Sequence, residues 1–499
     1  MVDASPPDAT SDNSDIALLA RGGRTNVLGF LLRLLARLPF LFIAGRLYGA
    51  AVLGRFAYAI LVIEFAAQLA TLGLKRGLAE QLAQNEDRAT AVVWDGLLIA
   101  GLASAVAAGL LAAVPQMMFP NSGINGHERL LPLTIFAIAW TEVALAALAY
   151  RHNVGASVTA RAIVEPWTIS IAALVLFYFS QRDGLILAYV LAMIAALFAA
   201  MWPLVRTYGL PRDWNPRPGA LAAMARRYTP LALADAIEWA TRNVDRAILG
   251  LFFAPAIVGV YWVAQQIVTL PQKLKTSFDP ILSPVITRNL EAGNRAAVAT
   301  HVRQVGFWIL AAQAGIALTL SISGEAVMGL VGPDFVSGTG ALIILLAAEV
   351  AAATAAVSES ALVYIARHRN LVISAFVITA QVLLSFLLIF GSRAIGLPLA
   401  IQAIGPAVAL MIALGLGAIL KSRLLARLLE ARVSGWRLAL VWATATAGVV
   451  GAITIRLPEW IELIVGVPLV LGTYCYVIWR KGFSAEDRIL FRRKAPVAR

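Results

Sequence analysis

Apolar positions along this chain run in long unbroken blocks, and neither alternation nor a recurrence every third and fourth residue breaks them up. About fourteen blocks can be marked, at roughly 27–49, 53–77, 90–114, 131–152, 161–181, 184–206, 228–253, 257–283, 303–332, 339–366, 370–392, 396–421, 436–457 and 459–480. A run of about 20 apolar residues crosses a bilayer as a helix. Helices satisfy their own backbone hydrogen bonds where no water is present. The pattern therefore predicts an all-α, polytopic membrane protein, and no gap between blocks is long enough for a separate folded domain.

Composition and charge sharpen this picture. Hydrophobic residues make up 60% of the 499 and charged residues 14%, with a mean hydropathy of +0.79, whereas soluble domains run near 25% charged. Basic residues concentrate in every second gap: Lys75/Arg76/Arg88, Arg151/Arg161, Arg206 to Arg227, Arg288/Arg295/Arg303, Arg367/Arg369 and Lys421 to Arg437. The intervening gaps hold few, among them Arg46, Arg55, Arg129, Arg182, Arg393 and Arg456. Short Lys/Arg-rich loops stay in the cytoplasm, so both chain ends are expected inside. The net charge of +13 then reflects helix flanks facing anionic membrane lipids, and no nucleic-acid partner is expected. The lone Cys475 excludes an intramolecular disulfide and a cysteine-based metal site. The four histidines lack ligand spacing, so neither metal nor cofactor is expected. Residues 1–24, with four aspartates and no basic residue before Arg21, read as a disordered cytoplasmic tail, without the basic n-region of a signal peptide.

Two stretches echo each other. Gly54-Arg55-Phe56-Ala57-Tyr58-Ala59 and Gly259-Val260-Tyr261-Trp262-Val263-Ala264 both read Gly-x-aromatic-x-x-Ala, 205 positions apart. The same offset sets Arg37 opposite Arg242. The echo predicts a duplicated six-helix unit: a first lobe over 25–206, a connector over 207–227 and a second lobe over 228–423. Two added helices follow over 435–480, then a basic cytoplasmic tail over 481–499. Halves that start inside and hold an even number of helices share an orientation, related by an axis along the membrane normal.

Charges within the apolar blocks carry the functional reading, because each costs at least about 2.5–3.5 kcal/mol at the bilayer centre. At 100° per residue, Asp235, Glu238, Arg242, Asp245 and Arg246 share one face of the seventh block, and Glu238–Arg242 is a favourable i,i+4 pair. In the first block Arg33 and Arg37 stand one turn apart. Arg33, Arg37, Arg242 and Arg246 are thus candidates for a cationic cavity, set against the plainer reading of an ion-pair ladder between helices. Glu64, Asp235, Glu238 and Asp245 are candidate ion-pair or coupling groups, and Glu142, Arg161, Glu165, Glu349 and Glu359 are further intramembrane charges. Lys275–Asp279 reads as a local pair. No phosphate-binding loop, His-Glu-x-x-His or Gly-x-Ser-x-Gly motif occurs, so no catalytic residue is assigned and no enzyme activity is expected.

At these residues the chain resembles the Wzx-type polysaccharide flippases of the multidrug/oligosaccharidyl-lipid/polysaccharide (MOP) exporter superfamily. The resemblance rests on Asn26-x-x-Gly29 through Gly49-x4-Gly54-x-Phe56-Ala57-x-Ala59, on Leu72-Gly73-Leu74, and on Arg242-x-x-Asp245-x-x-x-Leu249-Gly250 leading to Val258-Gly259-x-Tyr261-x-x-Ala264. It implies flipping of a polyprenyl-diphosphate-linked oligosaccharide from the inner to the outer leaflet of the bacterial cytoplasmic membrane by alternating access. It also implies work alongside polymerase and glycosyltransferase machinery. Bidentate, permanently charged guanidinium groups suit a diphosphate. A cation-coupled drug antiporter of the same superfamily is the main alternative, and a polyprenyl-dependent glycosyltransferase is a third, disfavoured by the short outer gap at 115–130.

Overall fold

The computed structural model describes residues 37–484 and 487–488 apart from 125, 213, 277 and 278; side chains are not followed at 154, 270 and 273–284. Arg33, the acidic tail and residues 489–499 lie outside this set, as do the side chains of Lys275 and Asp279. No strand occurs among the described residues. The chain divides into two compact units, Arg33–Val263 and the residues from Ala264 onward.

The first unit comprises α1 (Leu38–Ile43), α2 (Gly49–Ala70), α3 (Leu74–Gln84), α4 (Ala89–Ala113), α5 (Leu133–Tyr150), α6 (Val154–Val158), α7 (Glu165–Phe177), α8 (Gly184–Tyr208), α9 (Pro218–Phe252) and the first part of α10 (Pro255–Thr276). Pro39, Pro166 and Pro218 sit in the first positions of α1, α7 and α9, where the missing N–H costs nothing. Between α2 and α3 the chain turns at Leu72 (φ 45°) and Gly73 (φ 75°). A side chain at Gly73 would also run into the backbone carbonyl of Tyr228, so α9 packs directly on this turn.

The echoing glycines meet each other. A Cβ on Gly54 would strike the Pro255 carbonyl and the Gly259 nitrogen, while one on Gly259 would strike the Ala50 carbonyl and the Gly54 nitrogen. Positions 50 and 255, like 54 and 259, are 205 apart, so the crossing of α2 and α10 has local twofold symmetry. Without a hydrophobic drive between helices in lipid, such close approach supplies the packing energy. The same offset relates the Phe40–Phe56 contact, with centroids 5.7 Å apart, to the Tyr261 hydroxyl that donates to Asp245 at 2.6 Å.

The second unit holds α11 (Asp279–Glu291), α12 (Arg295–Ile322), α13 (Gly324–Val331), α14 (Thr339–Ala353), α15 (Ala356–Ile365), α16 (Arg367–Ala394), α17 (Leu399–Leu429), α18 (Leu438–Thr454), α19 (Glu459–Ile461) and α20 (Val467–Val477). Its core gathers Phe307, Trp308, Leu362, Leu425 and Tyr474. The expected blocks 303–332 and 339–366 each break in two, at Ser323 and at Thr354–Ala355. Among the described residues ten helical stretches are long and apolar enough to cross a membrane, with shorter apolar helices at Ala356–Ile365 and Leu438–Thr454. Helix α9 is not one of the ten; its charges remove it from the apolar class.

Candidate functional site

The charged face of α9 is not uniform. Asp235, Asp245 and Arg246 are buried, whereas the side chains of Glu238 and Arg242 keep 55% and 37% of their exposure. Glu238 is held from two sides. Arg242, one turn along α9, donates from Nη2 to its Oε1 at 3.1 Å, and Arg76 on α3 donates from Nη2 to its Oε2 at 3.1 Å. Arg76 Nη2 also lies 2.8 Å from Asp235 Oδ1, a charge contact without hydrogen-bond alignment. Buried Arg246 donates to Asn243 Oδ1 at 3.1 Å, while its Nε has no hydrogen-bond partner.

A second run of charges crosses α1, α7, α5 and α3. Arg161 lies in a π-helical turn, Thr159–Val164, a distortion that often re-aims a side chain at a functional site. It donates to Glu165 at 2.7 Å and to Glu142 at 2.5 Å. Lys75 Nζ approaches Glu142 to 2.9 Å, and Arg37 Nη2 stands 3.8 Å from Glu165. Lys75 and Arg76 are neighbours in the chain, so two runs of alternating charge, Arg37 to Lys75 and Arg76 to Arg242, meet at this basic pair. Glu64 on α2 stands in the field of Arg246, Arg37 and Arg161.

The structure thus brings Arg242, Glu238 and Asp235 together through Arg76, and ties Arg37 to α7. Arg33 lies outside the described residues. The positive-inside pattern assigns Lys75 and Arg76 to a loop, and nothing in that pattern marks them as site residues. Only the turn at Gly73, which swings α3 against α9, brings them there. The i,i+4 spacing of Arg161 and Glu165 is visible in the sequence; their meeting with Glu142 is not. The arrangement holds six cations (Arg37, Lys75, Arg76, Arg161, Arg242, Arg246) and six carboxylates (Glu64, Glu142, Glu165, Asp235, Glu238, Asp245). Glu238 is the most exposed of these carboxylates, and two half-open guanidiniums grip it.

At the other end of α2 a closed cluster serves the fold. Arg55, buried, pairs with Glu128 and with Asp183 at 3.3 Å, and its guanidinium lies over Phe119. Asn121 Nδ2 donates to the Gly250 and Phe253 carbonyls at 2.7 and 3.1 Å. Segment 115–130 is thereby strapped to α2 and to the end of α9.

A helical chain with many stretches long and apolar enough to cross a membrane, and with charges paired between its helices, defines a polytopic membrane protein. Residues 19–290, more than half of the chain, match the model of the polysaccharide biosynthesis protein family, and the chain belongs to that family. No curated protein matches the sequence. Among solved structures, "Lipid II flippase MurJ, inward closed conformation" is similar over 90% of this chain and 98% of its own, with a TM-score of 0.70 at 12% identity. An inward-facing multidrug resistance MATE family transporter of the MOP superfamily matches over 83% and 95%, with a TM-score of 0.58 at 18% identity. A MOP superfamily transporter from Pyrococcus furiosus, described as having a reversed binding-pocket polarity, covers 84% and 96%, with a TM-score of 0.55 at 16% identity.

Proposed function

We propose that this protein flips a polyprenyl-diphosphate-linked oligosaccharide, an O-antigen, capsule or exopolysaccharide repeat unit, from the inner to the outer leaflet of the bacterial cytoplasmic membrane. The observation that carries this reading is the Glu238 carboxylate, shared by Arg76 and Arg242 at 3.1 Å each. Two guanidiniums converging on two oxygens of one anion present the donor geometry that a phosphate takes, and the carboxylate holds the place that a diphosphate would fill. Arg37, its side chain 55% exposed, supplies a further cation on the same unit. Membership of the polysaccharide biosynthesis family supports a glycan-bearing cargo. Two lobes, 25–206 and 228–423, moving against each other would carry the head group across while the prenyl tail stays in lipid, and the polymerase and glycosyltransferase machinery would work on either side.

The test is transfer of a fluorescent lipid-linked oligosaccharide between the leaflets of reconstituted vesicles. Alanine at Arg76 or Arg242 is expected to slow transfer at least about tenfold, the loss of one charge-assisted contact, with lysine restoring only part of it. Wild-type rates in both alanine variants would end the proposal. The equal number of carboxylates favours one other reading, a cation-coupled antiporter. That reading predicts drug-driven cation exchange that Arg242→Ala spares and Glu64→Gln abolishes.

A further inference from the structure

Beside the Arg76–Glu238–Arg242 triad, two large aromatic side chains pack on each other without closing off. Phe65 of α2 and Trp239 of α9 have ring centroids 5.4 Å apart and planes inclined by 39°, and Phe65 keeps 36% of its exposure while Trp239 is half-buried. Helical geometry tells which surroundings they meet. At 100° per residue, Trp239 lies about 60° round α9 from Arg242, and about 120° from Leu233, which is 54% exposed on an apolar face. Phe65 directly follows Glu64, and Gln68 stands on the same side one turn later. The side chains of Glu238 and Arg242 are themselves half-open, and charges avoid lipid, so the ring pair adjoins the polar sector of α9, away from its apolar face.

We propose that Phe65 and Trp239 form a stacking site for a pyranose ring of the transported glycan, next to the triad that takes its diphosphate. The inference rests on the flippase reading and adds the sugar to it. One face of a pyranose carries mainly C–H groups, which pack against the electron-rich face of an aromatic ring. Its hydroxyls need polar partners around the rim. Glu238 and Arg242, beside Trp239 in sequence and one turn along α9, and Gln68, one turn beyond Phe65 on α2, are the donors and acceptors nearest by helix position. The prenyl chain needs none of this: a purely lipid cargo gives no reason for a half-open tryptophan beside three ions. The site also divides the labour. Charge holds the diphosphate common to every such lipid, while the ring pair responds to the sugar attached to it.

The division is measurable with two probes, undecaprenyl diphosphate and undecaprenyl-diphosphate-N-acetylglucosamine, titrated into the full-length protein in nanodiscs. The readout is the ratio of their affinities. Wild type is expected to favour the glycosylated lipid by roughly 3- to 10-fold, the worth of one ring-face contact. Trp239→Leu and Phe65→Leu keep apolar volume without an aromatic face, and should bring the ratio to about one with little change for the bare lipid. Trp239→Phe should retain part of the preference. Arg242→Ala should weaken both probes together and leave the ratio intact. A wild-type ratio of one, or leucine variants that keep the preference or weaken both probes equally, would overturn the stacking site while leaving the flippase reading standing. Binding of neither probe by wild type would overturn both. Melting temperatures of the leucine variants within a few degrees of wild type would establish that the ratio reports on the site.

Discussion

Single side chains here act through what is left when their partners are removed. Asp487 follows the last span and is buried. Burial raises its carboxyl, yet Arg437 at 2.5 Å and the Ser484 backbone N–H and hydroxyl at 2.9 Å outweigh this and hold it below the usual aspartate range. Gln304 and Trp308 donate to its other oxygen, so this one carboxylate docks the start of the C-terminal tail onto α12. A carboxyl depressed on folding stabilises in full above its unfolded value, about 3.9. It loses that contribution as pH falls through the folded value. Melting curves of wild type and Asp487→Asn should therefore differ at neutral pH and converge on acidification below about pH 4. Glu64 and Asp235 belong to the same scale. If either couples transport to protons, Glu64→Gln and Asp235→Asn should leave lipid binding intact and make vesicle transfer insensitive to a proton gradient. Full gradient dependence in both variants would assign them to packing.

Between elements, the decisive contacts are made by residues with little or no side chain. The α2–α10 crossing exists because Gly54 and Gly259 each face the backbone of the other copy. Alanine at either position forces two backbones apart, an overpacking cost of about 1–3 kcal/mol. Gly54→Ala and Gly259→Ala should accordingly lower the melting temperature by similar amounts, since the crossing is symmetric about them. The pair combined should cost less than the sum, because one displaced backbone relieves both. Equal stability of all three variants would mean that the crossing is looser than its geometry. The strap at Asn121 works differently. It satisfies carbonyls at the end of α9, which no intrahelical donor reaches.

For the molecule as a whole, the alternation of basic gaps sets the expected topology. Reporter fusions in the connector near Arg217 and at the C-terminus should read cytoplasm, and fusions near Asn121 should read the outer side. Cytoplasmic signal at Asn121 would undo both the orientation and the parallel duplication. The division into compact units falls at Val263, within α10, so α9 packs with the helices before it. Whether the lobes that move in transport follow 25–206 and 228–423 is a separate proposal. Cross-linking α9 to α3 through cysteines at Tyr228 and Gly77, whose positions are in contact, tests it. A reversible block of transfer is expected if α9 must part from α3.

How much of this was legible in the chain depends on the range of the forces involved. Apolar block length and the placement of arginines are local, and each acts on the bilayer directly. The all-α membrane class, the charge-bearing α9 and the Glu238–Arg242 pair can therefore be read from spacing alone. The glycine echo was visible as well, though only as a repeat; that its two copies touch is a fact of three dimensions. The helix break at Ser323 carries a Ser-Gly turn signal and Glu325, set inside an otherwise apolar block. The break at Thr354 escaped because apolar residues continue through it and no proline marks it. Arg76 escaped for the opposite reason. It looks like any cytoplasmic flank, and it becomes a partner of Glu238, 162 positions away, because Gly73 adopts a left-handed turn and α9 packs against that turn. Sequence patterns report what each segment needs from its solvent. Which charge answers which is decided by helix packing, and in this protein that decision joined Arg76 to Glu238.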